Sequence, residues 1–321
     1  MRFVAIVFAL VLFAVPGEAQ PPGKVYRIGV LGPGAPSPLT EEFRRRLSEL
    51  GYVDGQNIRL ESRWAGGNAE RLPTLATELV QARVDVIVAF ISSAAKAAQQ
   101  ATTAIPIVMV AVGDPVGLGL VASLARPGAN ITGTTSFGPE LDAKRIELLK
   151  EAIPGMQRLA ILWNPTNPLH EASLRYTEMA ARRVGVETHP LKVSSVDEIE
   201  GAFQSATQGR VGAMVVYADG AVLTRNGARI AALALGSRLP TVFLNQADVE
   251  AGGLMAYGAN LSQVFRRGAD YVDMILQGRR PAELPVEEPT KFDLAINLKT
   301  AKALGLTLSP SLLLRADRVI E

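Results

Sequence analysis

The chain is built on a repeat. From Val25 on, short runs of β-branched and apolar residues alternate with amphipathic stretches of helical period. That alternation is the pattern of parallel strands whose crossovers are helices packed on the sheet. Strands are read at Val25–Leu31, Ile58–Trp64, Val84–Phe90, Ile107–Val112 and Ile131–Thr135. Ser37-Pro38 opens a helix as an N-cap followed by proline at the first helical position, and Gly51 closes it. Asn68 caps a second helix whose Leu72, Leu75, Ala76, Leu79 and Val80 share one face, and Ser92-Ser93 begin a third. The same order then recurs. The run beginning Arg27-Ile-Gly-Val is echoed at Arg158-Leu-Ala-Ile, Arg83-Val-Asp-Val at Arg210-Val-Gly-Ala, and Ile105-Pro-Ile-Val at Leu239-Pro-Thr-Val. Ser195-Val-Asp-Glu198 has the capping-box pattern of a helix start. The expectation is an α/β chain with two doubly wound parallel-sheet lobes of one architecture.

The second half does not end the chain. Leu261–Gln277 reads as a helix stopped at Gly278, Pro281–Pro289 as a connection, and Phe292–Asn297 as a last strand before a short helix ending near Gly305. Leftover elements after two similar lobes imply that the chain crosses between the lobes more than once. Two open sheets facing each other form a cleft, with ligand groups at the carboxyl ends of the strands. At the other end, Arg2, the apolar run Phe3–Val15, Pro16-Gly17 and a small residue at Ala19 follow the order of a secretory signal, residues 1–19, cleaved after Ala19. No later apolar run is long enough to span a bilayer, and no cysteine stands at the cleavage point to carry a lipid. The mature chain is expected in the periplasm.

Composition removes several chemistries. With no cysteine there is no disulfide, thiolate nucleophile or cysteine metal site. The two histidines, His170 and His189, cannot assemble a histidine-based triad or a metal site, and both read as structural or solvent-facing. No cofactor is expected: the loop Gly32-Pro-Gly-Ala-Pro-Ser37 lacks the third glycine of a dinucleotide fingerprint and carries two prolines. A net charge of +2 gives no nucleic-acid surface.

Three stretches carry a family likeness: Ala111-Val-Gly-Asp-Pro through Asn130-Ile-Thr-Gly133, Ala256-Tyr-Gly-Ala-Asn260, and Lys291-Phe-Asp-Leu-Ala through Gly305. They resemble the substrate-binding proteins of ABC transporters, in the group that includes the tryptophan-binding TrpX-like proteins. The resemblance covers nearly the whole mature chain. It implies the type I periplasmic binding protein fold, with a hinge of three crossing strands. By that likeness one lobe would be residues 24–137 plus 260–283 and the other 138–259 plus 284–321. It further implies a monomer that binds a small-molecule solute and hands it to a membrane permease.

Candidate ligand groups come from the strand ends. Ser92 and Ser93 lie where a strand runs into a helix, so their hydroxyls and the helix amides suit a carboxylate; plain N-capping is the alternative. Asp219 takes the place of Ser92 in the repeat and is expected to face it across the cleft, suited to an amine or hydroxyl unless it caps its own helix. Asp114, in Gly113-Asp114-Pro115, has a similar position, with an Asx-turn as its simpler role. Phe90, Trp163, Tyr217 and Tyr257 are aromatics at strand ends, placed to stack on a planar ligand or to pack beneath the loops. Asn164 and Asn167, between prolines, and Asn245 offer amide hydrogen bonds. Thr134 stands at the first crossing as hinge or wall. The function these residues favour is a non-enzymatic solute receptor for an amino acid or aromatic carboxylate. A sugar receptor, a sensor feeding a membrane signalling receptor, a repressor-like ligand lobe and a secreted hydrolase are the alternatives. The last two lack, respectively, DNA-binding helices before Val25 and a nucleophile–base pair.

Overall fold

The computed structural model describes residues 24–136, 139–167, 169–219 and 221–321. The expected signal segment, residues 1–19, lies outside them. The first sheet contains β1 (Tyr26–Gly32), β2 (Ile58–Trp64), β3 (Val86–Phe90), β4 (Ile107–Val112) and β5 (Ile131–Thr135), in the order β2-β1-β3-β4-β5. Every pairing is parallel. Helices α1 (Pro38–Glu49), α2 (Leu72–Gln81) and α3 (Ile91–Ala101) make the crossovers. Ser37 caps α1 by accepting from the Thr40 amide, and Pro38 fills the first turn. One face of the sheet packs Ile87, Met109 and Ile131 against Leu75, Leu79 and Ala94.

The chain then enters the second lobe through α4 (Pro139–Ala152), β6 (Arg158–Trp163), α5 (His170–Arg183), β7 (Glu187–Lys192), α6 (Glu198–Gln208) and β8 (Ala213–Val216). It continues through α7 (Val222–Arg225), α8 (Gly227–Gly236), β9 (Thr241–Phe243), α9 (Gln246–Glu250) and β10 (Met255–Ala259). Helix α10 (Leu261–Leu276) goes back to the first sheet, where Val264, Phe265, Tyr271 and Val272 cover Val86, Val88, Val108 and Val110 together with Phe43 and Leu47 of α1. The last elements are β11 (Phe292–Asn297), α11 (Leu298–Ala303), α12 (Pro310–Leu314) and β12 (Arg318–Ile320). They complete a seven-stranded sheet ordered β12-β11-β10-β9-β8-β6-β7. Pro190 sits in β7, at the sheet edge, where a missing N–H costs no ladder bond.

Several details depart from the sequence reading. Strand β12 carries only three residues, too few for a periodic signal. Strand β11 runs antiparallel to β10, because the chain leaves for the first lobe after Ala259 and re-enters at Phe292, its partner at the same end of the sheet. Helix α6 starts after Asp197, and Glu198 reaches back to the Ser194 amide, so the capping box at Ser195 does not form. The return to the second lobe falls later than residue 284. Leu284 and Val286 are buried in the first lobe's two clusters. Glu287 extends the first sheet: Thr135 N donates to its carbonyl at 2.9 Å, and its own N–H donates to Gly133 O at 3.0 Å. Three segments therefore link the lobes, after β5, between β10 and α10, and before β11.

The packing of α10 is tight enough to test. A methyl at Gly268 would lie 2.5 Å from Val110 Cγ2 of the sheet beneath. Gly268→Ala is expected to lower stability by about 1–3 kcal/mol through overpacking, read as a lower urea midpoint with an unchanged slope.

Candidate functional site

Each sheet reverses its winding beside its first strand, between β1 and β3 and between β6 and β8. At such a point the crossovers leave to opposite faces and open a crevice at the carboxyl ends. The two crevices face each other and enclose a cavity of about 460 Å³, within the range of small-molecule sites.

The first lobe supplies an aromatic wall. Phe90, ending β3, lies between Trp64 and Phe265, nearly parallel to both, with ring centroids 6.0 and 5.0 Å away. Phe43 meets Phe90 edge-on at 5.5 Å. The indole of Trp64 rests on Gly32, where any Cβ would come within 2.2 Å of the ring. Beside this wall the backbone is strained. Ile91 (φ 59°) and Ala111 (φ 57°), both lining the cavity, are left-handed non-glycine residues. That conformation costs about 1–3 kcal/mol each and concentrates at functional sites. Between them the Gly113 amide donates to Ser92 Oγ at 3.2 Å, which leaves the serine proton for a ligand acceptor.

The second lobe supplies a braced loop. His170 Nδ1 accepts from the Asn164 amide at 3.0 Å, which makes Nε2 the protonated nitrogen and the donor to Ala218 O at 3.1 Å. Burial holds its pKa below the usual histidine value, so the ring is neutral. Asn164 Nδ2 donates to Asp219 Oδ2 at 2.7 Å, while its Oδ1 accepts from Thr166. Asp219 is in turn surrounded by the amides of Ala221, Val222, Leu223 and Thr224. Tyr217 reaches the cavity wall edge-on to His170, with its hydroxyl 2.6 Å from Thr177 Oγ1.

Helix α4 contributes charge. Arg145 and Asp142 line the cavity although each is 1% exposed. Arg145 Nη1 donates to Asp142 Oδ1 at 2.7 Å, and Nε to the Tyr257 carbonyl at 2.8 Å.

Of the residues singled out from the sequence, Phe90, Ser92, Asn167, Tyr217 and Asn245 line the cavity. The others do not. Asp219 and Asn164 are consumed by their own lobe; the reading of Asp219 as a group facing Ser92 is corrected, because four local amides already hold it. Ser93, one residue along α3, is outside the cavity wall. Asp114 forms its Asx-turn, accepting from Gly117 N at 2.8 Å. Thr134 accepts from Ala111 N and pairs with Glu287, so it lies where the late segment joins the edge of the first sheet. Trp163 packs in the second lobe's core under the Lys192 ammonium, and Tyr257 packs against Phe292.

Sequence reasoning passed over Trp64, Phe265, Asp142 and Arg145, and set aside the loop Pro33–Ser37 as a failed dinucleotide fingerprint; all line the cavity. Trp64 ends a strand as Phe90 does, so the same criterion selects it. Asp142 and Arg145 share a helical face with buried Ile146 and Leu149, and charge on an apolar face was the available signal.

The lobes touch across the mouth of the cavity. Arg225 Nη1 of α7 donates to Gly66 O of the first lobe at 3.0 Å. Leu169 packs on Gly113, where a Cβ would lie 2.0 Å from Leu169 Cδ2.

Residues 39–320 match the family model of ABC transporter substrate binding proteins, and the chain belongs to that family. It is a family of substrate-binding proteins, not of enzymes. A tyrosine-binding protein of Clostridioides difficile (strain R20291) is 26% identical over 264 residues, which is 82% of this chain and 75% of that protein. Among solved structures, a domain from Streptococcus pneumonia in complex with L-Trp superposes with a TM-score of 0.86 at 26% identity, over 92% of this chain and 100% of that one. A ligand-free, open substrate-binding protein with adhesive properties from Clostridium difficile has a TM-score of 0.66 at 24% identity, over 92% and 99% of the two chains.

Two outcomes follow from the braced loop. Asp219→Ala strands four amides and is expected to cost at least ~2 kcal/mol of stability, measured by denaturant unfolding without ligand. His170 is neutral in the fold with a depressed pKa, so the unfolded state binds more protons and the contribution of His170 is lost as pH falls below about 6.5. In unfolding midpoints followed from pH 8 to 5, the native chain should lose stability more steeply than His170→Gln; parallel curves would contradict this account.

Proposed function

We propose that this protein is the solute-binding component of an ABC importer and that it takes an amino acid with an aromatic side chain. The observation that carries the reading is the cavity between the lobes, walled on one side by the stack Trp64–Phe90–Phe265. A flat ring gains both area burial and ring–ring attraction there. The tyrosine-binding relative and the relative in complex with L-Trp support the same class. A sugar is disfavoured because Asn164 and Asp219, the polar groups best suited to hydroxyls, are spent inside the lobe. In this reading the signal at residues 1–19 exports a monomer to the periplasm.

Binding closes the lobes about the three linking segments, and the membrane permease recognises the closed form. The contacts of Arg225 with Gly66 and of Leu169 with Gly113, which join the lobes across the cavity mouth, support that reading. The higher TM-score to the L-Trp complex than to the open protein is in keeping with closure. A ligand that touches both lobes shifts the hinge equilibrium by its differential affinity for the closed state.

A thermal-shift panel tests the ligand class. Tyrosine, tryptophan or phenylalanine at a hundred times its dissociation constant should add about 2.7 kcal/mol of stability. A rise with sugars and none with the aromatic amino acids would overturn the proposal. Closure has its own test in Gly113→Ala, whose methyl meets Leu169 only when the lobes are together. Affinity should fall by about tenfold or more as the competent fraction shrinks, with the unliganded melting temperature unchanged. Unaltered affinity would remove closure from the mechanism.

A further inference from the structure

The pair Asp142–Arg145 is an anomaly in the energetics of its helix. Its neighbours Leu141, Ile146 and Leu149 are buried apolar residues, and an apolar pair of the same volume in place of a buried ion pair is commonly neutral or stabilising. The pair is nevertheless almost wholly excluded from solvent and forms part of the cavity wall, on the second lobe. Its orientation is fixed. The bond from Arg145 Nε to the Tyr257 carbonyl anchors the guanidinium to β10, next to the second crossing. Among the described residues, no acceptor is bonded to Arg145 Nη2.

From this geometry we infer that Asp142 and Arg145 read the zwitterionic head of the ligand, the ammonium meeting Asp142 and the α-carboxylate meeting Arg145. The inference rests on the proposed amino-acid class and deepens it. In an amino acid both charges are attached to one carbon, so the ligand's own charge pair can lie antiparallel to the protein's. Each ligand charge then meets an opposite charge in a site that excludes water, where charge-assisted bonds are strongest. A ligand that lacks either charge leaves one member of the arrangement facing a like charge or nothing. That is a selection against amines and simple carboxylates that an aromatic wall alone cannot make. Arg145 is also tied to the hinge-side strand, so the head would be held beside the crossing while the ring lies on the first lobe. The ligand thereby spans both lobes.

Calorimetry with the unmodified protein gives the first test. Whichever of L-tyrosine, L-tryptophan and L-phenylalanine binds tightest is compared with its decarboxylated amine and with its deaminated acid. Both analogues should bind about 10- to 100-fold more weakly, the loss expected for one charge-assisted contact. Equal affinity for amino acid and analogues would overturn this inference and leave the proposed function standing. Failure of all three amino acids to bind would overturn both. The second test assigns the residues. In Asp142→Asn the amino acid should fall to the affinity of its deaminated acid, while the deaminated acid itself is unchanged. Arg145→Lys should weaken the amino acid and the deaminated acid and leave the amine unaffected. A variant that weakens all three ligands by the same factor would show a structural role only and overturn the assignment. If the variants do not fold, the comparison of analogues on the unmodified protein decides.

Discussion

Two backbone hydrogen bonds hold the arrangement of the molecule together: Thr135 N to Glu287 O, and Glu287 N to Gly133 O. They add a late segment of chain to the edge of β5, after α10 has already returned to cover the first sheet. Without that second visit the lobes would be joined by one passage and could assume many relative orientations. With it, three passages run side by side, and Asn260 fastens two of them by donating to Lys291 O and to Asp293 Oδ2. Bound side by side in this way, the passages keep the carboxyl ends of both sheets opposed. The cavity is a consequence of that constraint.

Within the cavity the two lobes do different work. The first offers rings and a strained backbone: Trp64, Phe90 and Phe265 on one side, Ile91 and Ala111 in left-handed conformations on the other. The second offers a loop stiffened from behind. Asp219, Asn164 and neutral His170 form a chain of hydrogen bonds that ends on backbone atoms, and its product is the fixed placement of Asn167, Leu169 and Tyr217 at the wall. Polar residues that looked like ligand groups are thus the support for the residues that line the site. Charge reaches the cavity from elsewhere, through α4.

How much of this was legible in the sequence follows from the length over which each signal extends. The strands Ile58–Trp64, Ile107–Val112, Ile131–Thr135 and Phe292–Asn297 are found with the bounds read for them: Ile107–Val112 is a buried parallel strand, apolar along its length, and Ile58–Trp64 shows the alternation of a half-buried edge strand. Helix α10 was legible from its apolar face, but its membership of the first lobe was implied only by family likeness. The continuation of that lobe through Val286 was not legible at all, since a proline- and glutamate-rich connection shows no period. The site divides in the same way. Phe90 and Tyr217 follow from their places at strand ends, whereas the fate of Asp219 depended on four amides contributed by residues just after it. The Asp142–Arg145 pair was hidden in a helix whose charges otherwise face solvent.

The measurement that bears most directly on the account is a crystal structure of the protein grown with L-tryptophan. The account predicts the indole against the Trp64–Phe90 wall, the ligand's head at Asp142 and Arg145, and the lobes joined through Arg225 and Gly66. Tryptophan bound outside the inter-lobe cavity, or held in it with its ring away from that wall, would contradict it.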